Sequence, residues 1–222
     1  MFVHQLVSSD IPSLRMQDTG DMAMQLMQEH HIAHLPIVDG SEYKALIKED
    51  DLLNWHHPDR ELAESPFVAL AYKPAVYANQ HPYEAMRRAM DQNISVVPVI
   101  DDQGNYQGLV TRNVMLEFLS KNSGLDKSGG IITLELRPLD YSLSEIARIC
   151  ENNDVILLNV QIFTHADKEA MEVVLKTNTR ELQALLASFE RYEYTVKDVF
   201  GDLPASESMI DRYQSLMHFI NM

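Results

Sequence analysis

An apolar stretch of eight residues occurs twice in the chain, and this repetition constrains the fold more than any other feature. The first copy, residues 32–39, reads IAHLPIVD, and the second, residues 94–101, reads ISVVPVID. Each copy is followed by a short polar turn and a second apolar run, at 43–47 and at 106–110. A nearly constant offset over several elements indicates an internal repeat, so we expect two similar units packed on each other.

Both repeats share one predicted plan: an extended start, a helix, two strands and a second helix. In the first repeat, Asp18 or Thr19 is placed to cap the first helix. The apolar runs are too continuous for half-exposed strands and are typical of strands covered on both faces. Because each copy is too small to bury both faces well by itself, we expect a pseudo-twofold pair of repeats at 1–60 and 61–122.

The composition disfavours nucleic acid as a partner. The chain has 222 residues, of which 45% are hydrophobic and 23% charged, as is usual for a soluble globular protein. Its net charge is −15, and the sequence shows no cluster of Lys and Arg that would neutralise phosphates. An anionic membrane surface is disfavoured for the same reason.

The cysteine content and the apolar segments favour a cytoplasmic location. Cys150 is the single cysteine, so no intramolecular disulfide is expected, and its helical pattern predicts a buried core thiol. No segment approaches 18 unbroken apolar residues, which disfavours a transmembrane helix. The first residues have neither a basic nor a long apolar region, so we expect no secretion signal and a reducing compartment.

A change of pattern after the second repeat indicates a further domain. Residues 123–130 are polar and glycine-rich, which is typical of a linker. From 131 to 201 the patterns predict the element order βαββαβ, the ferredoxin-like arrangement. Residues 202–222 predict an amphipathic C-terminal helix, which either packs on its own domain or crosses a dimer interface.

Polar residues mark the helix starts of this further domain. Ser142 with Glu145 forms a capping box for its first helix. Asn178 or Glu181 is placed to cap its second helix. The last strand is predicted at 192–199.

The motifs of each repeat resemble the cystathionine-beta-synthase (CBS) domain family. That family has a helix, then Ile-x-x-x-Pro-Val-Val-Asp, a Gly turn, and Gly-Ile-Val-Thr-x-x-Asp-Leu-Leu, a pattern similar to residues 32–53 and 94–116. The resemblance covers roughly residues 1–122. It implies an α/β (α+β) fold, a tandem pair acting as a regulatory module, an adenosine-containing ligand between the repeats, and association as a flat dimer.

The region after the linker resembles the ACT domain, a small amino-acid-sensing fold. Residues 144–149, SEIARI, are similar to the first helix of that family. A CBS pair followed by an ACT domain is similar to the architecture of the acetoin utilisation protein family. The ACT family has a glycine in its first loop where Tyr141 stands here, and the Tyr141 side chain would fill the pocket, which disfavours amino-acid binding.

The resemblance to the CBS family implies a ligand site at the window Gly-x-x-Thr-x-x-Asp, whose acid accepts hydrogen bonds from the ribose hydroxyls. The first repeat, at 45–51, keeps this acid as Asp51, whereas the second, at 108–114, keeps the Gly and the Thr and replaces the acid with Val114. Basic side chains in both windows favour a phosphate-bearing ligand. The candidate ligand-binding residues are Lys48, Asp51, Gly108, Thr111, Arg112 and Asn113.

A plainer alternative is that both windows are only junctions between a strand and a helix. Asp51 and Asn113 would then act as helix-start residues.

The histidines and the carboxylates do not predict an active site. The spacing of His30, His31 and His34 suits a metal only if the helix continues past Ile32, and the repeat places His34 on a strand. The sequence shows no nucleophile elbow, phosphate-binding loop or dinucleotide fingerprint.

The sequence therefore predicts a cytoplasmic, non-enzymatic regulatory protein whose ligand is AMP, ADP, ATP or S-adenosylmethionine. Two alternatives remain, a protein-interaction scaffold with inactive ligand sites and a metal-dependent hydrolase. The many apolar helix faces predict a homodimer.

Overall fold

The computed structural model describes residues 1–8, 10–164 and 170–202. The chain divides into two compact units, Met1–Leu119 and Ser120–Met222, which we call the first and the second unit. The C-terminal helix predicted at 202–222 lies outside the described residues from position 203 onward.

The first unit contains both repeats. Its helices and strands are α1 (Gly20–Glu29), β1 (His34–Asp39), β2 (Glu42–Lys48), α2 (Glu49–Leu53), β3 (Val76–Tyr77), α3 (Pro82–Asp91), β4 (Val96–Ile100), β5 (Tyr106–Thr111) and α4 (Arg112–Asn122). Helix α4 extends three residues beyond the end of the unit at Leu119. The predicted cap of α1 is confirmed, because the Thr19 hydroxyl accepts a hydrogen bond from the Met22 N–H at 3.2 Å.

The two repeats differ in their sheets. Strands β1 and β2 form an antiparallel pair, whereas β3, β4 and β5 form a three-stranded sheet with β3 parallel to β4. The extended start predicted for the first repeat is only a bridge, in which the Leu14 N–H donates to the Pro36 carbonyl at 2.8 Å. A longer strand is prevented because the chain turns at once, with the Arg15 N–H donating to Asp18 at 2.7 Å.

Each repeat forms hydrogen bonds with the N-terminal part of the other repeat. The start of the chain pairs with the second repeat, where Val3 N–H donates to the Gln80 carbonyl and Ser8 N–H to the Leu109 carbonyl, both at 2.9 Å. Conversely, the Tyr43 hydroxyl donates to the Pro74 carbonyl at 3.1 Å. Through this exchange Tyr43 of the first repeat joins the core cluster of the second repeat, whereas most of the first repeat keeps a core cluster of its own.

In its described residues, the second unit is a four-stranded antiparallel sheet with the two helices α5 and α6. Its order is β7–β8–β6–β9, and the element order βαββαβ is the one predicted from the sequence. The resemblance to the ACT family stays a prediction. The elements are β6 (Ile131–Leu136), α5 (Leu143–Glu151), β7 (Leu157–Thr164), β8 (Met171–Thr177), α6 (Gln183–Arg191) and β9 (Thr195–Phe200).

The helix starts of the second unit confirm one predicted cap and correct another. The Ser142 hydroxyl accepts from the Glu145 N–H at 3.4 Å, which is one half of the predicted capping box, whereas the Glu145 carboxylate accepts from the Tyr194 hydroxyl. The prediction that Asn178 or Glu181 caps α6 is wrong, because the helix begins after Leu182 and the Asn178 side chain accepts from the Ile156 N–H at 2.9 Å.

The last strand also begins later than predicted, at Thr195 rather than 192. Tyr192 still closes the C-terminus of α6 by donating its N–H to the Ser188 carbonyl, and Glu193 takes a φ of 64°. A left-handed residue at this place ends a helix and cannot continue a strand.

Candidate functional site

Two adjoining cavities lie between the repeats of the first unit, and we call them together the cleft. The apolar cavity, of about 360 Å³, is lined among others by Leu46, Asp51, Tyr72 and Ile94. The polar cavity, of about 450 Å³, is lined among others by His34, Asp50, Ser95 and Arg112. Lys48 and Gln92 line both cavities, so the two spaces adjoin at these side chains.

The first-repeat window lies on the wall of the cleft. Lys48 ends β2 and Asp51 stands in the first turn of α2, so the strand-to-helix turn presents both side chains. Asp51 Oδ2 accepts the Lys48 backbone N–H at 3.3 Å, which is the helix-start role offered by the plainer alternative. This long hydrogen bond leaves the carboxylate with further acceptor sites, so both roles are compatible.

Arg112 of the second repeat lines the polar cavity but is already engaged. Its Nε donates to the Ile94 carbonyl at 2.9 Å and its Nη2 to Asn93 Oδ1 at 2.8 Å. The guanidinium thereby holds the turn that joins α3 to β4. Its positive charge still faces the cavity in which Lys48 lies.

The other three candidate residues take different places, and none of them is among the described residues that line the two cavities. The Thr111 hydroxyl accepts the Val114 N–H at 3.2 Å at the start of α4. Gly108 has a φ of 133°, and a side chain there would collide with Val7. The glycine therefore admits the chain's own N-terminal segment. Asn113 is exposed at the start of α4.

A buried histidine joins the two repeats beside the polar cavity. His34 is 8% exposed, and its Nδ1 accepts the Ser95 backbone N–H at 3.2 Å. The His34 pKa is lowered to about 4, mainly by burial and also by the positive charges of Lys48 and Arg112, whereas the charges of Asp51 and Asp50 act in the opposite direction. Sequence reasoning considered His34 only as a metal ligand and missed this role, because nothing local pairs it with Ser95.

Gln92 is the second residue that sequence reasoning missed. Its Nε2 donates to the Tyr72 hydroxyl at 3.0 Å. Among the residues that the structure describes, Gln92 Oε1 is the single buried side-chain oxygen or nitrogen without a hydrogen-bond partner. A polar residue after a helix is common, so the sequence contained no signal for this acceptor.

Two predicted absences can be compared with the described part of the chain. No group of three or more His, Cys, Asp or Glu residues that could hold a metal ion occurs there. No helix in residues 1–8, 10–164 and 170–202 has both the length and the apolar character needed to span a membrane.

Cys150 is 1% exposed in the core of the second unit, as predicted, and burial raises its pKa to about 11. A thiol with a raised pKa is a poor nucleophile at neutral pH.

The second unit has its own cavity, of about 660 Å³, next to the start of α5. Arg137 and Asp140 line it and form a bidentate ion pair, and the Tyr194 hydroxyl donates to Glu145 at 3.1 Å. Tyr141 packs against the core of the unit. These polar groups bond to one another, and the expectation that this region does not bind an amino acid stays a prediction.

Several known proteins are similar to the chain. It is 25% identical over 141 residues to a CBS domain-containing protein of Dictyostelium discoideum, a match that covers 54% of this chain and 92% of that one. It spans less than half the length of two further curated relatives.

Two crystal structures are similar over about half of the chain. A CBS domain pair/ACT domain protein from Thermotoga maritima is 19% identical, with a TM-score of 0.47, covering 55% of this chain and 98% of that one. The protein CBSX2 in complex with AMP is 16% identical, with a TM-score of 0.46, covering 54% and 96%.

The profile of one family decides the assignment. The CBS domain matches at residues 3–57 and again at 65–121, which together make up half of the chain. The two matched segments coincide with the two repeats of the sequence. The chain therefore belongs to the CBS domain family and carries the domain as a tandem pair.

Proposed function

We propose that this protein is a non-enzymatic regulatory protein that binds an adenine nucleotide in the cleft. One observation carries the proposal: side chains of both repeats, Asp51 and Lys48 from the first and Arg112 from the second, surround adjoining cavities. The second-repeat candidates Gly108 and Thr111 serve the packing of the chain, so we assign the ligand to the Asp51 cleft.

The apolar cavity suits a base and a ribose. Leu46 and Ile94, which are 5% and 3% exposed, offer aliphatic contacts for the faces of a purine. The Asp51 carboxylate would accept hydrogen bonds from the ribose hydroxyls, and a hydrogen bond to a charged acceptor is among the stronger ones.

The polar cavity suits a phosphate group. Lys48 and Arg112 supply positive charge. The carboxylates of Glu49 and Asp50 line the same space and would repel a ligand that carries several negative charges. Among the phosphate-bearing candidates, a monophosphate meets the least repulsion from these carboxylates. AMP is therefore the first of the candidate ligands AMP, ADP, ATP and S-adenosylmethionine to test.

A thermal shift tests the proposed function. At a hundredfold excess over its dissociation constant, AMP is expected to add about 2.7 kcal/mol to the free energy of unfolding. For a chain of this size the melting temperature rises by roughly 5–10 °C. Ribose 5-phosphate is the control, since it lacks the base and should have a smaller effect. A shift below about one degree with all four ligands at millimolar concentration would rule the function out.

Regulation would proceed by a shift of populations. A ligand that binds one arrangement of the CBS pair better than another makes that arrangement more populated. We propose that an ACT-like domain at 131–201 receives this change, with 123–130 as the linker. A scaffold with inactive ligand sites is the alternative, and the thermal shift distinguishes it. We place the protein in the cytoplasm, as the sequence predicts.

We further propose that the protein is a homodimer. Not all of the apolar helix residues that predict a homodimer are at the surface, because Met27 of α1 and Met115 and Phe118 of α4 are buried core residues. Large apolar side chains nevertheless remain exposed on the helices of the first unit, with Leu53 68% and Leu116 67% exposed. These two leucines stand at equivalent positions of α2 and α4, and twofold association is the commonest way to cover such side chains.

Light scattering is expected to give twice the chain mass of 25.4 kDa. Exchanging both leucines for Glu, as L53E with L116E, should yield a monomer, whereas L70E, at a residue that is 88% exposed on another segment, should leave the dimer intact. A wild-type monomer at micromolar concentration would contradict the proposal.

A further inference from the structure

A third cavity of the first unit, of about 610 Å³, lies next to the end of α2, and we call it the aromatic cavity. Its apolar side is formed by Trp55 and Phe67 together with Pro66. Its polar side includes the carboxylates of Asp51 and Glu64. Because Asp51 and Phe67 also line the apolar cavity of the cleft, the aromatic cavity adjoins the cleft without being part of it.

The fold of the first repeat holds the two aromatic rings in place. Trp55 follows the end of α2, where its backbone N–H donates to the Leu52 carbonyl at 3.1 Å. Its ring lies so close to the start of α1 that a side chain at Gly20 would approach it to 3.0 Å. The rings of Trp55 and Phe67 meet edge to face, at 90° and with their centroids 5.6 Å apart. Two rings at right angles form a corner, which suits a rounded group better than a flat base.

The charges around the aromatic cavity favour a positively charged ligand. Neither lysine nor arginine is among the described residues that line it. Glu64 forms an ion pair with Arg60 at 3.4 Å, but both side chains are more than half exposed, and exposed pairs contribute little to stability. Aromatic rings attract cations through the negative charge of their faces, and tryptophan does so most strongly. A cation in this cavity would meet aromatic rings and carboxylates in the same space.

We propose that the aromatic cavity binds a small organic cation with a methylated ammonium head. Such a head is rounded, and its charge is spread over methyl groups that pack against aromatic rings. It loses its water more readily than a compact primary ammonium group, which is strongly hydrated. This inference goes beyond the proposed function and does not depend on it, since no nucleotide takes part.

Titration with choline, followed by tryptophan fluorescence, tests the proposal. Trp55 is the single tryptophan of the chain and lines the cavity, so choline is expected to give a saturable change. Sodium chloride keeps the ionic strength constant. The uncharged isostere 3,3-dimethylbutanol, in which carbon replaces the nitrogen of choline, should bind about tenfold more weakly, as expected for the loss of two cation–π contacts. No saturable change with choline, or equal affinities for the two compounds, would overturn the proposal.

Two variants keep the fluorescent residue and each remove one part of the cavity. Phe67→Leu retains an apolar side chain without a ring and should weaken choline binding about three- to fivefold. Glu64→Gln removes one negative charge and should weaken it about two- to threefold. The matched control is Glu61→Gln, at an exposed residue of the same segment, which should leave the affinity unchanged. An unchanged affinity in both Phe67→Leu and Glu64→Gln would mean that choline binds elsewhere, and the proposal would fail.

The remaining outcomes are distinguishable. Melting curves show whether each variant folds, and if Phe67→Leu does not, Glu64→Gln carries the test because its side chain is exposed. Vesicles of phosphatidylcholine present the same head group on a membrane, and sedimentation of the protein with them would overturn the assignment to a free cation. If choline binds and AMP does not, this inference stands and the proposed function fails. If AMP binds and choline does not, the proposed function stands and this inference fails.

Discussion

Acidification from pH 7 to pH 4 is expected to destabilise the first unit by up to about 3 kcal/mol through His34 alone. The ordinary pKa of histidine is 6.5, and in the folded protein the His34 pKa is lowered to about 4. Burial is the main cause, followed by the charges of Lys48 and Arg112. Geometry agrees, because a proton on Nδ1 would face the Ser95 N–H only 3.2 Å away.

The sign follows from proton binding in the two states. Between the folded pKa of about 4 and the unfolded value of 6.5, the unfolded chain binds more protons at this residue than the folded chain. The free energy of unfolding therefore rises with pH across this window. The stabilising contribution is complete above pH 6.5 and is lost as the pH falls through about 4.

Urea unfolding of the first unit measures the effect. Trp55 is the single tryptophan of the chain, and its ring packs edge-on against that of Phe67 with the ring centroids 5.6 Å apart. Its fluorescence therefore reports the unfolding of this unit. Because carboxylates titrate over the same pH range, the pH dependence of the free energy of unfolding is compared between the wild type and each variant. His34→Asn keeps an acceptor without the titration and should show a flatter dependence, whereas His56→Asn, at an exposed residue, should follow the wild type. Equal slopes for His34→Asn and wild type would refute the role of His34.

Replacing Asp51 with Ala is expected to weaken AMP binding about ten- to a hundredfold, while Asp50→Ala has little effect. Removing a charged acceptor of the ribose hydroxyls costs about 1.5–3 kcal/mol. Asp50→Ala is the matched control because Asp50 is the adjacent residue of α2 and also carries a carboxylate. Asp50 is exposed and, of the two cavities, lines the polar one only. Its carboxylate also repels a phosphate, so its loss does not weaken binding.

Calorimetry of three variants separates binding from folding. Asp51→Ala also removes the hydrogen bond to the Lys48 N–H, which contributes to the start of α2. Asp51→Asn keeps an acceptor for that bond and removes only the charge, so it should fold normally and still lose affinity. Equal losses for Asp50→Ala and Asp51→Ala would show that the cleft binds no ribose at Asp51.

The element order of both units was predictable from the sequence because it depends on neighbours along the chain. Apolar periodicity predicted the strands and helices, and the fixed offset predicted the pair of repeats. Thr19 and Ser142 were found as caps since a cap bonds within three residues. Strand pairing and helix starts that depend on distant partners were missed. Asn178, which bonds to Ile156, is an example.

Only the tertiary structure decided how the cleft is built. Local sequence does not show that Val7 lies against Gly108, that Ser95 donates to His34, or that Arg112 holds the turn before β4. Each of these contacts joins residues that are far apart in the chain, and many other pairings would satisfy the same local patterns. The sequence by itself determined a tandem CBS pair with one intact acidic position, Asp51. Packing determined which residues meet there and left Gln92 Oε1 without a partner.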